Sequence, residues 1–343
     1  MFGYYRFFLA SLVLLSHLQV SLQGFNGGVA AVISFYMLAG FVVCKLLSSV
    51  FASNRLNYFR FIYERTLRIF PQYLFVVGLT IVFLLTTNFG KPVFNLVAFL
   101  NNLLIIPLNY SMFWDGSILQ DPKWWLVPPA WSLGVELQAY LLLPLAIYFK
   151  PVKVVLSLLS LCIFILASFR VLHPHFFGYK LLPGVFFIFI IGGSIYRRYV
   201  EGEEVDFFDK YFPEVVYTLL VALVIILGAK GMLLVQFVRE TILGVLIGMP
   251  IVIYLSKSTV KLPLNRFVGD LSYGLFLSHF LVKWLVENYS LVDRDPSSLV
   301  YLLTVFFFSL IFSIIGVFVV ERPMSRYRFK LSSTFAGPKE CNP

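Results

Sequence analysis

Long apolar runs separated by short polar connectors organise the whole chain. They fall at 7–22, 28–50, 70–88, 132–149, 154–169, 181–196, 213–229, 237–256, 267–286 and 299–320. Most approach the roughly 20 residues that cross a bilayer as a helix. The pattern predicts an all-α, polytopic membrane protein with about ten transmembrane helices. The second run is the least apolar, diluted by Gly27, Gly28, Ser34 and Gly40. Residues 89–106 are apolar only in patches and predict a re-entrant or interfacial piece. The connectors 51–68, 107–130, 197–212 and 321–343 are too short to build a separate core. Residues 1–330 therefore read as one transmembrane domain, followed by a short cytoplasmic tail, 331–343. No repeat of fixed period runs through the chain, nor is there the matched pair of broken helices that marks many transporter sites.

Composition agrees with that reading. The chain is 59% hydrophobic and 13% charged, with a mean hydropathy of +0.87. Its net charge of +10 would suit nucleic acid, but the distribution points to a bilayer instead. Arg6, Lys45, Arg55, Arg60, Arg65, Arg68, Lys150, Lys153, Arg197, Arg198, Lys210, Lys257, Lys261, Arg266 and the five basic residues beyond Glu321 fall on one side of the predicted spans. The positive-inside rule places that side, and both termini, in the cytoplasm, as an even number of spans requires. All five tryptophans fall near the opposite interface. These features predict a multi-pass protein of the inner (plasma) membrane, with no nucleic-acid partner. The first run lacks a cleavage site and reads as a retained helix. The acidic run Glu201, Glu203, Glu204, Asp206 and Asp209 reads as a solvated cytoplasmic loop. Cys44, Cys162 and Cys341 have no recognisable spacing, and His173 and His175 lack a carboxylate or thiolate partner, so no metal is expected.

Within this apolar background a few polar residues stand out. Arg6 and His17 lie eleven positions apart in the first run. Eleven helical steps return to nearly the same face, about 16 Å further along the axis. A guanidinium near one surface and an imidazole about halfway through would suit one elongated polar substrate. A snorkelling arginine with a core histidine is the ordinary alternative. Arg65 and Arg68 share a face at i,i+3, where two guanidiniums make a fork for phosphate; anchoring to anionic lipid is the alternative. Glu64 is placed to pair Arg68 at i,i+4. Glu136 sits one to two turns into an apolar helix beside Trp131, Ser132, Gln138 and Tyr140. It is placed either to orient a histidine or acceptor hydroxyl, or to pair a basic residue of another helix. Asp270, Ser272, Tyr273 and His279 mark the ninth run, with His279 a second acid–base group or a core histidine. Loop 107–131 gathers Tyr110, Phe113, Trp114, Trp124 and Trp125 with short polar residues, suited to a sugar ring or to belt anchoring.

Together these segments resemble the membrane-bound acyltransferase 3 family. The resemblance is carried by Arg6-x10-His17 and by Gly28-Val-Ala-Ala-Val-Ile-Ser34-Phe-Tyr-Met-Leu-Ala-Gly40-Phe. It continues through Tyr63-Glu64-Arg65-Thr-Leu-Arg68-Ile-Phe-Pro71-Gln-Tyr73, Trp131-Ser-Leu-Gly-Val-Glu136-Leu-Gln-Ala-Tyr140 and Leu271-Ser272-Tyr273 to His279. Five motifs in order cover essentially the whole chain. The family usually has Ser-Gly where this chain has Ala39-Gly40, and some members carry an added C-terminal hydrolase-like domain.

The resemblance implies transfer of an acyl group, most often acetyl, from cytoplasmic acyl-CoA to a hydroxyl of an extracytoplasmic carbohydrate such as O-antigen, capsule or exopolysaccharide. It implies His17 as catalytic residue with Glu136 in support. Arg6, Arg65 and Arg68 would hold the CoA, and Trp131, Ser132, Tyr273 and His279 would face substrate. Acyl-CoA is then the donor substrate and no metal is needed; a partner protein on the acceptor side is compatible with the short C-terminal region. The competing class is a transporter or flippase for polysaccharide or lipid-linked sugar, which would use His17, Glu136 and His279 as pathway residues.

Overall fold

The computed structural model describes residues 1–20, 24–49, 58–202, 205–235, 237–293, 295 and 298–335. Arg55, Glu203, Glu204 and Cys341, named above, lie outside the described residues, as does 336–343. The apolar runs all become helices: α1 (Phe2–His17), α2 (Gly27–Ser49), α3 (Tyr58–Thr87), α4 (Leu96–Leu104), α5 (Trp131–Tyr148), α6 (Lys150–Ser168), α7 (Leu182–Tyr196), α8 (Phe207–Ala229), α9 (Val238–Lys257), α10 (Asn265–Asn288) and α11 (Leu299–Gly316). A π-helical turn, Val317–Glu321, then leads into α12 (Arg322–Phe335). Eight helical segments among the described residues are long and apolar enough to cross a membrane. The expected first and ninth spans also form helices but fall outside that set. α1 has only 16 residues, and α10 carries Arg266, Asp270, Lys283 and Glu287. The chain is an all-α, multi-pass membrane protein.

The expected interfacial piece is α4, nine residues long. Its N-terminus is capped by Asn95, whose side-chain oxygen accepts from the Ala98 amide at 2.7 Å. Leu96, Val97, Leu100 and Leu104 are exposed, a narrow apolar face suited to lying on a bilayer rather than crossing it. Beyond it a two-stranded hairpin, β1 (Leu119–Gln120) and β2 (Lys123–Trp124), closes one end of the bundle.

α7 sits at the centre. Every residue from Val185 to Tyr196 is buried, as expected for a helix apolar on all sides. It packs closely on α2 because glycines meet backbone: a Cβ at Gly40 would lie 1.8 Å from the Phe189 carbonyl oxygen, and one at Gly192 would lie 1.9 Å from that of Met37. Without a hydrophobic drive between helices in lipid, such close approach supplies the packing. At the periphery, α6, α8 and α11 expose Leu158, Leu159, Ile225, Leu303 and Phe307, the lipid-facing surface of the bundle.

α1 and α10 run parallel and in register. At one end the Gly3 amide donates to Asn265 Oδ1 at 2.9 Å; at the other, His17 meets His279. Their register positions the site.

The acidic run is not a solvated loop throughout. Asp209 is 2% exposed and bonds Lys153 Nζ at 2.7 Å, Arg197 Nη1 at 2.9 Å and Ser194 Oγ at 2.8 Å. A carboxylate this deep is tolerated because three donors on α6, α7 and the turn after it surround it.

Candidate active site

A cavity of about 660 Å³ opens at the basic end of the bundle, where Met1 and Lys45 contribute to its rim. Arg6, Arg65, Arg68, Glu136, Tyr140 and Tyr273 line it. The two arginines of α3 do share one face, as their i,i+3 spacing predicts. Arg65 lies over the Tyr140 ring at 5.7 Å, and Arg68 over Tyr273 at 5.3 Å. Both are buried to a degree that demands partners. Arg65 Nε donates to Glu64 at 2.5 Å, while Arg68 Nη1 donates to Glu321 at 2.6 Å.

The expected Glu64–Arg68 pair is therefore not formed. Glu64 turns instead to Arg65 and to Arg328 of α12. Glu321, delivered by the π-helical turn, takes Arg68. A carboxylate from a distant segment wins over the local i,i+4 neighbour because packing of the C-terminal segment on α3 buries both partners.

Arg6 shares the cavity wall with Arg68, Glu136 and Asp270. Among the described residues no hydrogen bond or ion pair engages its guanidinium, so its donors are available to a ligand. Tyr140 donates its hydroxyl to Glu136. Tyr273 donates to the Ile69 carbonyl at 2.8 Å, tying α10 to α3. Ser132 lines the cavity but spends its hydroxyl on the Pro129 carbonyl at 3.0 Å. Trp131 does not line it; its ring packs on Tyr179 at 5.0 Å, with Lys180 Nζ 5.2 Å away.

His17 and His279 form a pair just beyond the cavity's deep end. Phe276, one turn before His279 on α10, lines the cavity; its ring centroid is 6.4 Å from His279 and 6.4 Å from Phe35. The imidazoles of His17 and His279 stack 5.1 Å apart, tilted by 13°. His17 Nδ1 lies 2.9 Å from His279 Nε2, and His279 Nδ1 lies 3.1 Å from the Leu275 carbonyl. A carbonyl can only accept, so His279 Nδ1 carries the proton. In the neutral pair His279 Nε2 is then an acceptor, and His17 Nδ1 must donate to it. This network assigns the tautomer: the unshared lone pair of His17 is on Nε2. A relay of this form fixes both the orientation and the basic atom of an imidazole.

Glu136 is not part of that relay. The partner of His17 is His279, and Glu136 instead bonds Tyr140 on the cavity wall. Of the expected site residues, the structure thus gathers Arg6, Arg65, Arg68, Ser132, Glu136 and Tyr273 around one cavity, sets His17 and His279 beyond it, and leaves Trp131 aside.

On the hairpin end, much of the aromatic loop is internally satisfied. Tyr110 donates to Gln138 at 2.6 Å and Trp125 Nε1 to the Pro128 carbonyl at 2.7 Å. Trp124 packs on Phe280 at 5.4 Å, adjoining the histidine pair. His173 stacks on Phe176 at 3.9 Å. The His175 imidazole is pulled down to about 4, first by burial and then by Lys180 and His173. No group of three or more metal-ligating side chains occurs among the described residues.

Sequence reasoning missed Arg328, counted only as tail charge, and the Lys153–Asp209 pair, whose members lie far apart in the chain. Neither carries a local signal, since each partner comes from another helix.

Against this geometry the comparisons with known proteins are informative. A family model described as an acyltransferase domain matches residues 2–320. The chain belongs to the acyltransferase 3 family. Among curated proteins the chain is similar to the O-acetyltransferase OatA of Staphylococcus aureus (strain NCTC 8325 / PS 47), 23% identical over 93% of this chain and 56% of that protein. The chain thus spans little more than half the length of that relative. An uncharacterized protein of Aquifex aeolicus (strain VF5) is 36% identical over 62% of this chain and 93% of its own length. No solved structure matches. As a member of the acyltransferase 3 family with multiple apolar helices, the protein is a membrane acyltransferase.

Proposed function

We propose that the protein transfers an acyl group, most often acetyl, from cytoplasmic acyl-CoA to a hydroxyl of an extracytoplasmic carbohydrate. The observation that carries this reading is the alignment of an arginine-rimmed cavity with the His17–His279 pair at its deep end. Arg65 and Arg68 are suited to hold the CoA phosphates, with Arg6 deeper along the same wall. The thin pantetheine arm then runs along α1 toward Phe276 and His17. Both termini and the cavity rim face the cytoplasm in this reading, which places the protein in the inner (plasma) membrane. Residues 1–330 act as the transfer unit.

The chemistry needs one base. His17 Nε2 removes the proton from the acceptor hydroxyl as its oxygen attacks the thioester carbonyl. The C–S bond breaks, and the CoA thiolate takes the proton back from the imidazolium. Alternatively the same lone pair first takes the acyl group and passes it to the hydroxyl; both routes use the atom that His279 leaves free. Glu136 and Tyr140 stand on the cavity wall, where they can steer the donor rather than the histidine. Ser132 and Tyr273 shape the same wall. The reaction requires no metal.

A transporter would use the same polar residues, but family membership and the rim of guanidiniums favour transfer. The reading is tested with the purified, lipid-reconstituted protein and radiolabelled acetyl-CoA. Label should reach carbohydrate, or water in its absence, with wild type and not with His17→Ala. Equal transfer by a folded His17→Ala protein would refute it.

A further inference from the structure

The cavity wall holds a further guanidinium that lies outside the segment 2–320 matched by the family model. Arg328, on α12, lines the cavity. Its Nε donates to Glu64 Oε1 at 2.9 Å, with a second contact from Nη2. Its Nη1 stands 3.8 Å from Glu321, beyond hydrogen-bond reach, and has no acceptor among the described residues. The side chain is only 16% exposed.

These contacts make one chain of alternating charge: Arg65, Glu64, Arg328, Glu321, Arg68. Three guanidiniums face two carboxylates, so the assembly keeps a positive excess in a partly buried place. Each carboxylate holds a guanidinium in orientation while leaving some of its five donors unspent. A positive excess with free N–H groups, set in a cavity wall, is a site for an anion.

We propose that Arg328 binds a phosphate of the donor nucleotide and completes, with Arg65 and Arg68, a three-guanidinium cradle spanning α3 and α12. The proposal rests on the acyl-CoA reading above. Arg328 sits at the level of Glu64, one turn nearer the rim than Arg68, and so far from the histidine pair. A contact there acts on donor affinity and leaves the chemical step at saturation unchanged. Arg328 is a donor-binding residue and not a catalytic one.

The rival account is that Arg328 merely neutralises Glu64. A double-mutant cycle of neutralising substitutions separates the two. The affinity of CoA for the reconstituted full chain is measured by calorimetry for wild type, Arg328→Gln, Glu64→Gln and the double variant, with thermal unfolding followed for each. Loss of one charge-assisted contact should weaken CoA by about tenfold or more in Arg328→Gln. The double variant should stay weak, because the phosphate still lacks its partner. Pantetheine, which has no phosphate, should bind wild type and Arg328→Gln alike. Recovery of wild-type affinity in the double variant, or equal weakening of pantetheine, overturns the proposal while leaving the donor reading intact. Absence of CoA binding in folded wild type overturns the donor reading itself, and this assignment with it.

Discussion

His17 and His279 come from helices at opposite ends of the chain, yet His17 Nδ1 lies 2.9 Å from His279 Nε2, and the Leu275 carbonyl fixes which nitrogen carries each proton. One consequence is a division of labour. His17→Ala removes the base and should abolish transfer. His279→Ala leaves the base but releases its ring orientation and tautomer. Transfer should then fall by about 10²-fold or more with CoA affinity unchanged, since general-base assistance is worth about 10²–10⁴-fold only when the base is aimed. A normal turnover number in His279→Ala, in folded protein, would show that the pair is only packing.

The arginines of α3 are coupled to carboxylates, so simple truncation confuses binding with stability. Arg68→Ala strands the buried Glu321, and removing one member of a buried pair costs about 3–5 kcal/mol. Pairing Arg68→Ala with Glu321→Gln removes that penalty. The double variant should unfold near the wild-type temperature yet bind CoA about tenfold or more weakly. Combining Arg65→Ala with Glu64→Gln should also weaken CoA, but at a lower unfolding temperature, because Glu64 is the partner of the partly buried Arg328 as well. Unchanged CoA affinity in both would remove these arginines from the donor site.

The network around Asp209 touches neither the cavity nor the histidines. Asp209→Ala leaves Lys153 buried without its nearest partner, and the expected cost is again about 3–5 kcal/mol. Thermal unfolding in detergent should show a clear loss of stability, while any protein that remains folded keeps its CoA affinity. A matched fall in affinity would mean that this network reaches the site.

Much of this architecture is legible in the chain because a bilayer constrains sequence so heavily. Long apolar runs become helices, and α4 is betrayed by its shortness. Arg6, Arg65 and Arg68 are findable because a charge in an apolar helix is conspicuous, and periodicity alone puts Arg65 and Arg68 on one face. What stays hidden is pairing across the chain. Glu64 has Arg68 at the ideal helical spacing, yet it takes Arg328; Glu136 looks like a partner for His17, yet His279 holds that place. Helix packing decides these pairings, and one sequence carries no signal for which helices touch. Asp209 was misleading for the same reason, since its acidic neighbourhood resembles a loop while Lys153 and Arg197 draw it inward.

Gly40 and Gly192 mark where α2 and α7 nearly touch. A side chain at either meets backbone oxygen below 2 Å, which rotamer changes cannot relieve. Gly192→Val should separate the two helices at a cost above the roughly 1–3 kcal/mol usual for overpacking. Reduced yield of folded protein and a lower unfolding temperature are expected. At Gly78, where nothing lies within 4 Å of the added carbon, Gly78→Ala should be tolerated and serves as the control.

Phe276 stands between the cavity and the histidine pair, within ring-contact range of both Phe35 and His279. A donor arm that extends from the cavity toward the pair along this wall meets the Phe276 ring, so its size should govern the last stretch of that path. Phe276→Trp adds bulk at the deep end without touching the arginines. Transfer should fall by about tenfold or more while CoA affinity stays put, because the nucleotide binds at the rim and only the reactive end is held back. Phe276→Leu keeps an apolar residue of smaller bulk and should retain transfer. In the absence of acceptor it should also raise hydrolysis of acetyl-CoA, as water gains the route the ring restricts. Equal transfer in the tryptophan and wild-type proteins would mean that the arm approaches His17 by another way.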